Sequence, residues 1–124
     1  MAESYELGKI GEDIAVKHLQ KLGYEILEQR WKHHHMEIDI FAIDLEEHVL
    51  VSAEVKTRRS AEWGSPEEAV DYRKMMRVVR ATDAYMKQHR INMPVRFDIF
   101  SILIHKGESP KVNHIKDAFY PPLG

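Results

Sequence analysis

The stretch MEIDIFAIDLEEHVLVSAEVKT, residues 36–57, decides the fold because it reads as two apolar strands joined by a polar turn at residues 44–47. Successive side chains of a strand point to opposite faces of the sheet. Asp39 therefore lies on one face of the first strand, while Glu54 and Lys56 share a face of the second. The pattern predicts a β-hairpin that carries two acids and a lysine on one surface.

The register of this hairpin sets the distance between its acids. A turn at residues 44–47 places Asp39 near Ser52 and Ala53, diagonal to Glu54. Diagonal cross-strand neighbours are roughly 7–8 Å apart, so both carboxylates could reach one hard cation. The competing interpretation is a solvated sheet face, since edge strands often carry charge. The apolar run before Glu54 favours a buried strand and therefore a chemical site.

The composition indicates a globular protein. A chain of 124 residues predicts a single domain over residues 1–124, and 44% hydrophobic with 31% charged residues is typical of such a domain. No apolar run approaches the roughly 20 residues of a membrane span, and no signal peptide is recognisable. The chain has no cysteine, which excludes disulfides and thiolate metal sites. We therefore expect a cytoplasmic protein that does not bind membranes.

Apolar residues at helical spacing predict a helix over residues 4–22. Gly8 and Gly11 lie one turn apart inside it. Because glycine costs roughly 1 kcal/mol in a helix interior, the pair indicates a close approach of another segment. Glu12 follows on the same helix, and without further context it is interpreted as a solvated side chain.

A strand is predicted over residues 24–31, and the KHHH segment at residues 32–35 connects it to the hairpin. His33 and His35 could point the same way and bind a transition metal. The alternative is a solvated polar loop.

Basic residues follow the hairpin. Arg58 and Arg59 extend the lysine-containing strand into a positively charged run. A capping sequence at Ser65 predicts a helix that runs to about residue 89. Near its start, Arg73 and Lys74 could lean toward the hairpin.

A further strand is predicted over residues 95–105, where Asp98 lies among apolar neighbours and should pair with Arg96 or with a basic helix residue. Residues 113–120 are predicted to be helical or irregular. The resulting order is α-β-β-β-α-β, which predicts an α/β fold with a mixed sheet flanked by helices.

Five short motifs occur together along the chain, namely GxxGE at residues 8–12, EID at 37–39, EVK at 54–56, EAVxxxK at 68–74 and RFD at 96–98. Their set resembles the YraN-like family of bacterial proteins over nearly the whole chain, and that family is similar to PD-(D/E)xK nucleases of the archaeal Holliday-junction resolvase type. The resemblance implies a restriction-endonuclease-like fold. This chain has Met36 where the family usually has glycine.

The resemblance also implies a site. Asp39 and Glu54 would hold Mg²⁺ or Mn²⁺, with the Val55 carbonyl as a further ligand and Glu12 as a third acid. Lys56 would position a water molecule or neutralise charge on a phosphate. The implied activity is metal-dependent hydrolysis of DNA phosphodiester bonds.

The basic residues are interpreted as phosphate contacts. The resemblance implies that Arg58, Arg59, Lys74 and Arg73 hold DNA, which would be structured or branched. A resolvase-like role favours a two-fold homodimer, because a junction presents two equivalent strands. The alternative is a non-catalytic module on the same fold that binds nucleic acid or recruits a partner.

Overall fold

The computed structural model describes residues 2–59 and 71–119, and these form two helices and five strands. The predicted order α-β-β-β-α-β is confirmed, and a fifth strand follows it. The elements are α1 (Ala2–Lys21), β1 (Glu25–His33), β2 (Met36–Asp44), β3 (Val49–Arg58), α2 (Tyr72–His89), β4 (Val95–Leu103) and β5 (Lys111–Phe119).

The strands form one mixed sheet in the order β1-β2-β3-β4-β5. The β3–β4 pair is parallel, and the other three pairs are antiparallel. The connection between the parallel strands β3 and β4 is a crossover that includes α2, whereas the first three strands follow one another as hairpins. This arrangement confirms the predicted α/β fold and is consistent with a restriction-endonuclease-like core. Neither described helix has an apolar stretch long enough to cross a bilayer.

Of the two described helices, one packs on each face of the sheet, in keeping with the alternating strand pattern. Ala15 and Leu19 of α1 pack on one face, and Val78, Ala81 and Tyr85 of α2 pack on the other. The buried strand residues divide between the two faces. On the α1 side these are Ile40, Ala42, Val51, Ala53, Phe100 and Ile102, and on the α2 side they include Phe41, Leu50 and Phe97.

The predicted hairpin register is wrong, and the turn explains why. Asp44 pairs with Val49 and Ile40 pairs with Ala53, so the loop comprises residues 45–48. The Asp44 carboxylate accepts hydrogen bonds from the amides of Glu46 and Glu47 at 3.0 and 3.1 Å, while its backbone stays in the strand. Asp44 therefore supports the turn from outside the loop.

One other prediction of secondary structure needs correction, and a second falls partly outside the described residues. Residues 113–120 are neither helical nor irregular, because Lys111–Phe119 forms the edge strand β5. Its periodicity is obscured by a register shift opposite Phe97 and Ile99 and by a left-handed Asp117, at φ 52°. The predicted helix start at Ser65 falls outside the described residues. Helix α2 itself begins at Tyr72, where the Asp71 side chain caps it by accepting a hydrogen bond from the Lys74 amide.

Arg96 forms a buried ionic network with the acids around it. Its guanidinium donates to both oxygens of Asp98 at 2.9 and 2.8 Å, to Asp44 at 2.8 Å and to the Tyr24 hydroxyl at 2.7 Å. His114 Nε2 also lies 2.8 Å from Asp98. Burial alone would raise the pKa of Asp98, but the contacts with His114 and Arg96 lower it. The predicted pairing of Asp98 with Arg96 is confirmed.

The predicted close approach of another segment to α1 is confirmed at Gly11 but not at Gly8. A Cβ added at Gly11 would lie 1.7 Å from the Thr57 Oγ1 atom, whereas one at Gly8 would meet no atom within 4 Å. Gly11 therefore lets α1 lie directly against β3. This contact brings the next residue, Glu12, toward the hairpin acids.

The two glycines make a matched pair of substitutions. We expect Gly11→Ala to lower the free energy of unfolding by about 2 kcal/mol, because overpacking outweighs the helix propensity of alanine. Gly8→Ala should raise that free energy by up to about 1 kcal/mol. Urea denaturation of both variants measures the difference. Equal effects at the two positions would contradict the close contact with Thr57.

Candidate functional site

The site lies where β2 and β3 separate. Their pairing ends at Ile40 and Ala53, so Asp39 falls in line with Glu54 rather than opposite Ser52 or Ala53. One Asp39 oxygen accepts a hydrogen bond from the Val55 amide at 2.8 Å. The carboxylate therefore takes the place of a backbone acceptor and is held beside β3.

The same hydrogen bond indicates where the Val55 carbonyl lies. In a strand, the amide and the carbonyl of one residue point to the same side. Because the Val55 amide faces Asp39, its carbonyl also faces the gap between β2 and β3. The backbone thus offers one further oxygen ligand beside the two carboxylates.

Asp39 is surrounded by other acids. Its pKa is raised to about 7, chiefly by burial and further by the carboxylates of Glu54, Glu12 and Glu37, against the lowering effect of the Val55 amide. Negative charges therefore converge on one point of the sheet. Such convergence favours binding of a cation.

Glu12 reaches this region from α1 and is held by Arg30, whose Nε lies 3.0 Å from the Glu12 carboxylate. Burial raises the pKa of Glu12, and Arg30 opposes that rise. Neither Arg30 nor Glu37 was singled out in the sequence. Glu37 could have been found because it shares strand parity with Asp39, whereas only the β1–β2 pairing and the packing of α1 show the role of Arg30.

Two lysines neutralise Glu54. Lys56 Nζ lies 3.2 Å from Glu54 Oε1, and Lys74 of α2 contacts the same oxygen. Burial alone would lower the pKa of Lys56, but the Glu54 charge and its hydrogen bonds raise it above the ordinary value. Lys56 is therefore an ammonium group at neutral pH. The structure also places Lys74 against the hairpin, where the sequence predicted that it could lean.

The three arginines predicted to bind nucleic acid occupy different positions. Arg58 ends β3, two residues after Lys56, and the exposed Arg59 follows it. Arg73 lies on the exposed face of α2, in a groove with Tyr72 and Arg77. The structure thus brings Lys74, and not Arg73, to the hairpin acids.

The histidine segment forms the end of the first hairpin. His33 ends β1 and its ring stacks on Trp31, with centroids 5.7 Å apart and planes 3° apart. His34 follows in a left-handed turn conformation, at φ 54°. Across residues 2–59 and 71–119, no group of three or more His, Asp or Glu side chains is arranged to hold a metal. Binding of a transition metal by His33 and His35 would therefore require further ligands from outside this group.

The donor set at the hairpin fits a hard cation better than a transition metal. Asp39, Glu54 and the Val55 carbonyl all offer oxygen atoms, and further carboxylates lie close enough to raise the Asp39 pKa. Mg²⁺ is commonly bound through one or two carboxylates while it keeps several waters, so a cage of three carboxylates is not required. The residues present therefore fit Mg²⁺ or Mn²⁺.

Comparison with known proteins places the chain among close relatives. The family described as "Uncharacterised protein family UPF0102" matches residues 11–102, a span that extends from the Gly11 contact to β4. A UPF0102 protein of Bacteroides thetaiotaomicron is 50% identical over 99% of both chains. One of Flavobacterium johnsoniae is 46% identical over 97% of this chain and 98% of its own.

A third relative, from Parabacteroides distasonis, is 45% identical over 98% of both chains. These similarities confirm the resemblance found in the five sequence motifs. The chain therefore belongs to the UPF0102 family, which is the YraN-like family.

Proposed function

We propose that the protein is a metal-dependent nuclease that hydrolyses DNA phosphodiester bonds, with structured or branched DNA as its substrate. The observation that carries the proposal is the position of Asp39 in line with Glu54 on the neighbouring strand, where the Val55 amide holds Asp39 at 2.8 Å and Lys56 Nζ lies 3.2 Å from Glu54. Placing such charges together is costly unless a cation and an anionic substrate complete the site.

Asp39, Glu54 and the Val55 carbonyl would hold Mg²⁺ or Mn²⁺, with Glu12 binding directly or through water. The ion would supply Lewis-acid polarisation of the scissile phosphate. Arg30 holds the Glu12 carboxylate in place, and the Val55 amide fixes the orientation of Asp39. These contacts reduce the reorganisation that the acids would need on binding.

Lys56 acts as a cation in this proposal and not as a proton acceptor. Its pKa is raised by Glu54, so the ammonium form persists at neutral pH. An ammonium at this position donates hydrogen bonds to a phosphate oxygen and stabilises the charge that develops there. It can also orient the attacking water.

The surrounding basic residues would hold the flanking phosphates. Lys74, whose ammonium contacts Glu54, would instead pair with a phosphate when DNA binds. Arg58, Arg59 and Arg73 would bind more distant phosphates. Such contacts position DNA without reading its sequence.

Assembly into a two-fold homodimer would suit a branched substrate, because the two active sites would face equivalent strands.

A non-catalytic nucleic-acid-binding module is the second candidate function. The observation that favours it is the double neutralisation of Glu54 by Lys56 and Lys74, which leaves that carboxylate with cationic partners already. A binder of this kind would retain its DNA affinity in EDTA and would show no cleavage.

A cleavage screen separates the two functions. Labelled four-way junction, flap, single-stranded and duplex DNA are incubated with the protein in Mg²⁺, Mn²⁺ or EDTA. We expect cutting of at least one structured DNA with metal only, and a loss of about a hundredfold in Glu54→Gln. The exposed Asp83→Asn serves as the control. Equal cleavage by wild type and Glu54→Gln, or none with any substrate, would contradict the nuclease proposal.

A further inference from the structure

The first half of α2 has a strongly basic exposed face. Arg73, Arg77 and Arg80 are all exposed, and their spacing of four and three residues places them on one side of the helix. The sequence has no acid between Tyr72 and Thr82. Within the described parts of the chain, no carboxylate forms a salt bridge with these three guanidinium groups.

Two grooves meet along this face. The first lies on α2 and is lined from Tyr72 to Arg80. The second lies between α2 and the end of the β1–β2 hairpin, where Arg77 and Arg80 face residues 33–36. Since Arg77 and Arg80 line both grooves, they form one continuous region, which we name the α2–hairpin surface.

Rings are exposed along the α2–hairpin surface. The large side chain of Tyr72, which precedes Arg73 in the sequence, is 64% exposed. At the other end, His34 is exposed and its ring lies 4.3 Å from that of His33, which in turn stacks on Trp31. The surface therefore offers both positive charge and planar groups.

The α2–hairpin surface also begins beside the candidate site. Lys74 follows Arg73 directly in the sequence, yet its ammonium contacts Glu54 at the hairpin. A strand that lay along the arginines would thus reach the hairpin acids at the start of α2. Proteins that bind single strands combine a basic groove with rings on which bases stack.

We propose that the α2–hairpin surface binds an unpaired DNA strand and directs it to the hairpin acids. The choice of DNA rests on the proposed nuclease function. Arg73, Arg77 and Arg80 contact phosphates, while Tyr72 and His34 stack on bases. Stacking requires bases that are not paired, so the substrate would be DNA with a single-stranded segment next to the cleaved bond.

Binding in EDTA tests this inference without requiring cleavage. Fluorescence anisotropy is measured with labelled oligothymidylate of about 20 nucleotides, longer than the usual site of one binding module. We expect Arg77→Ala/Arg80→Ala to weaken binding at least about tenfold and to reduce the slope of log affinity against log salt by about 1.4. The control, Lys21→Ala/Lys87→Ala, removes the same charge from exposed positions elsewhere and should bind nearly as wild type. Equal losses in both double variants would overturn the proposal.

Tyr72 distinguishes stacking from attraction to phosphates alone. Tyr72→Ala should weaken oligothymidylate binding about tenfold, whereas Tyr72→Phe should bind as wild type because it keeps the ring. Binding to a duplex of equal length should change little in either variant. If Tyr72→Ala binds the single strand as tightly as wild type does, the proposed stacking is wrong. Because Glu54→Gln should still bind in EDTA, its loss of cleavage tests the nuclease proposal separately.

Discussion

Asp39→Asn is expected to reduce metal-dependent DNA cleavage by about a thousandfold, because it removes a charge from the centre of the proposed site. Asparagine has nearly the same volume, and its side-chain oxygen can still accept the hydrogen bond that the Val55 amide donates at 2.8 Å. The fold should therefore persist. Initial cleavage rates on the best substrate of the screen, with saturating Mg²⁺, measure the effect.

The stability of the same variant provides an independent measurement. The pKa of Asp39 is raised to about 7 in the folded protein, so the folded state holds a proton that the unfolded chain has already lost. The free energy of unfolding of the wild type should therefore fall as the pH rises from about 4 to about 7, by up to about 4 kcal/mol from this group. Above that range this contribution is constant.

Asp39→Asn should lack this fall and should be more stable than the wild type at about pH 8 in EDTA. Mg²⁺ should also restore stability to the wild type at that pH, because a bound cation stabilises the ionised carboxylate. Urea denaturation at the two ends of the range tests both expectations. A variant that is inactive and also less stable at high pH would indicate that Asp39 has a structural role. Full activity in Asp39→Asn would exclude it from the site.

Arg96→Met should have the largest effect on stability. Asp98 and Asp44 would lose the guanidinium that contacts both of them at 2.8 Å, and Asp98 would remain buried with His114 and the Asp117 amide as its partners. Breaking a buried ion pair from one side typically costs about 3–5 kcal/mol, since the remaining charge is uncompensated. We expect a loss of that size in the free energy of unfolding.

The exposed pair of Lys87 and Asp83 on α2, at 2.9 Å, is the control. Lys87→Met should change the free energy of unfolding by less than about 0.5 kcal/mol, because water screens exposed charges. Urea denaturation of both variants gives the comparison. A small effect of Arg96→Met would show that Asp44 and Asp98 take up protons or find other partners when the guanidinium is absent.

The elements that could be predicted from sequence are those with regular apolar spacing. Helix α1, the hairpin strands and β4 all have such patterns, and their predictions are confirmed. Strand β5 was missed because an edge strand buries little surface, and a register shift interrupts its alternation. The Asp71 cap before Tyr72 was not predicted, because the sequence favoured one helix from Ser65 to about residue 89, and Ser65 itself lies outside the described residues.

The residues of the candidate site were also only partly predictable from the sequence. Strand parity and the family motifs selected Asp39, Glu54, Lys56 and Glu12 for the proposed site. They did not show that Asp39 lies in line with Glu54, because that register depends on how the Asp44 carboxylate supports the turn. They also did not show Arg30, whose partner Glu12 lies 18 residues away on α1.

By itself the sequence determined which side chains share a sheet face, because strand alternation is a local property of the backbone. It therefore placed two acids and a lysine on one hairpin surface. The tertiary structure decided which groups surround those acids, because the packing of α1 at Gly11 and of α2 at Lys74 joins segments that are distant in sequence. The raised pKa of Asp39 and the contact of Lys74 with Glu54 both depend on this packing of distant segments.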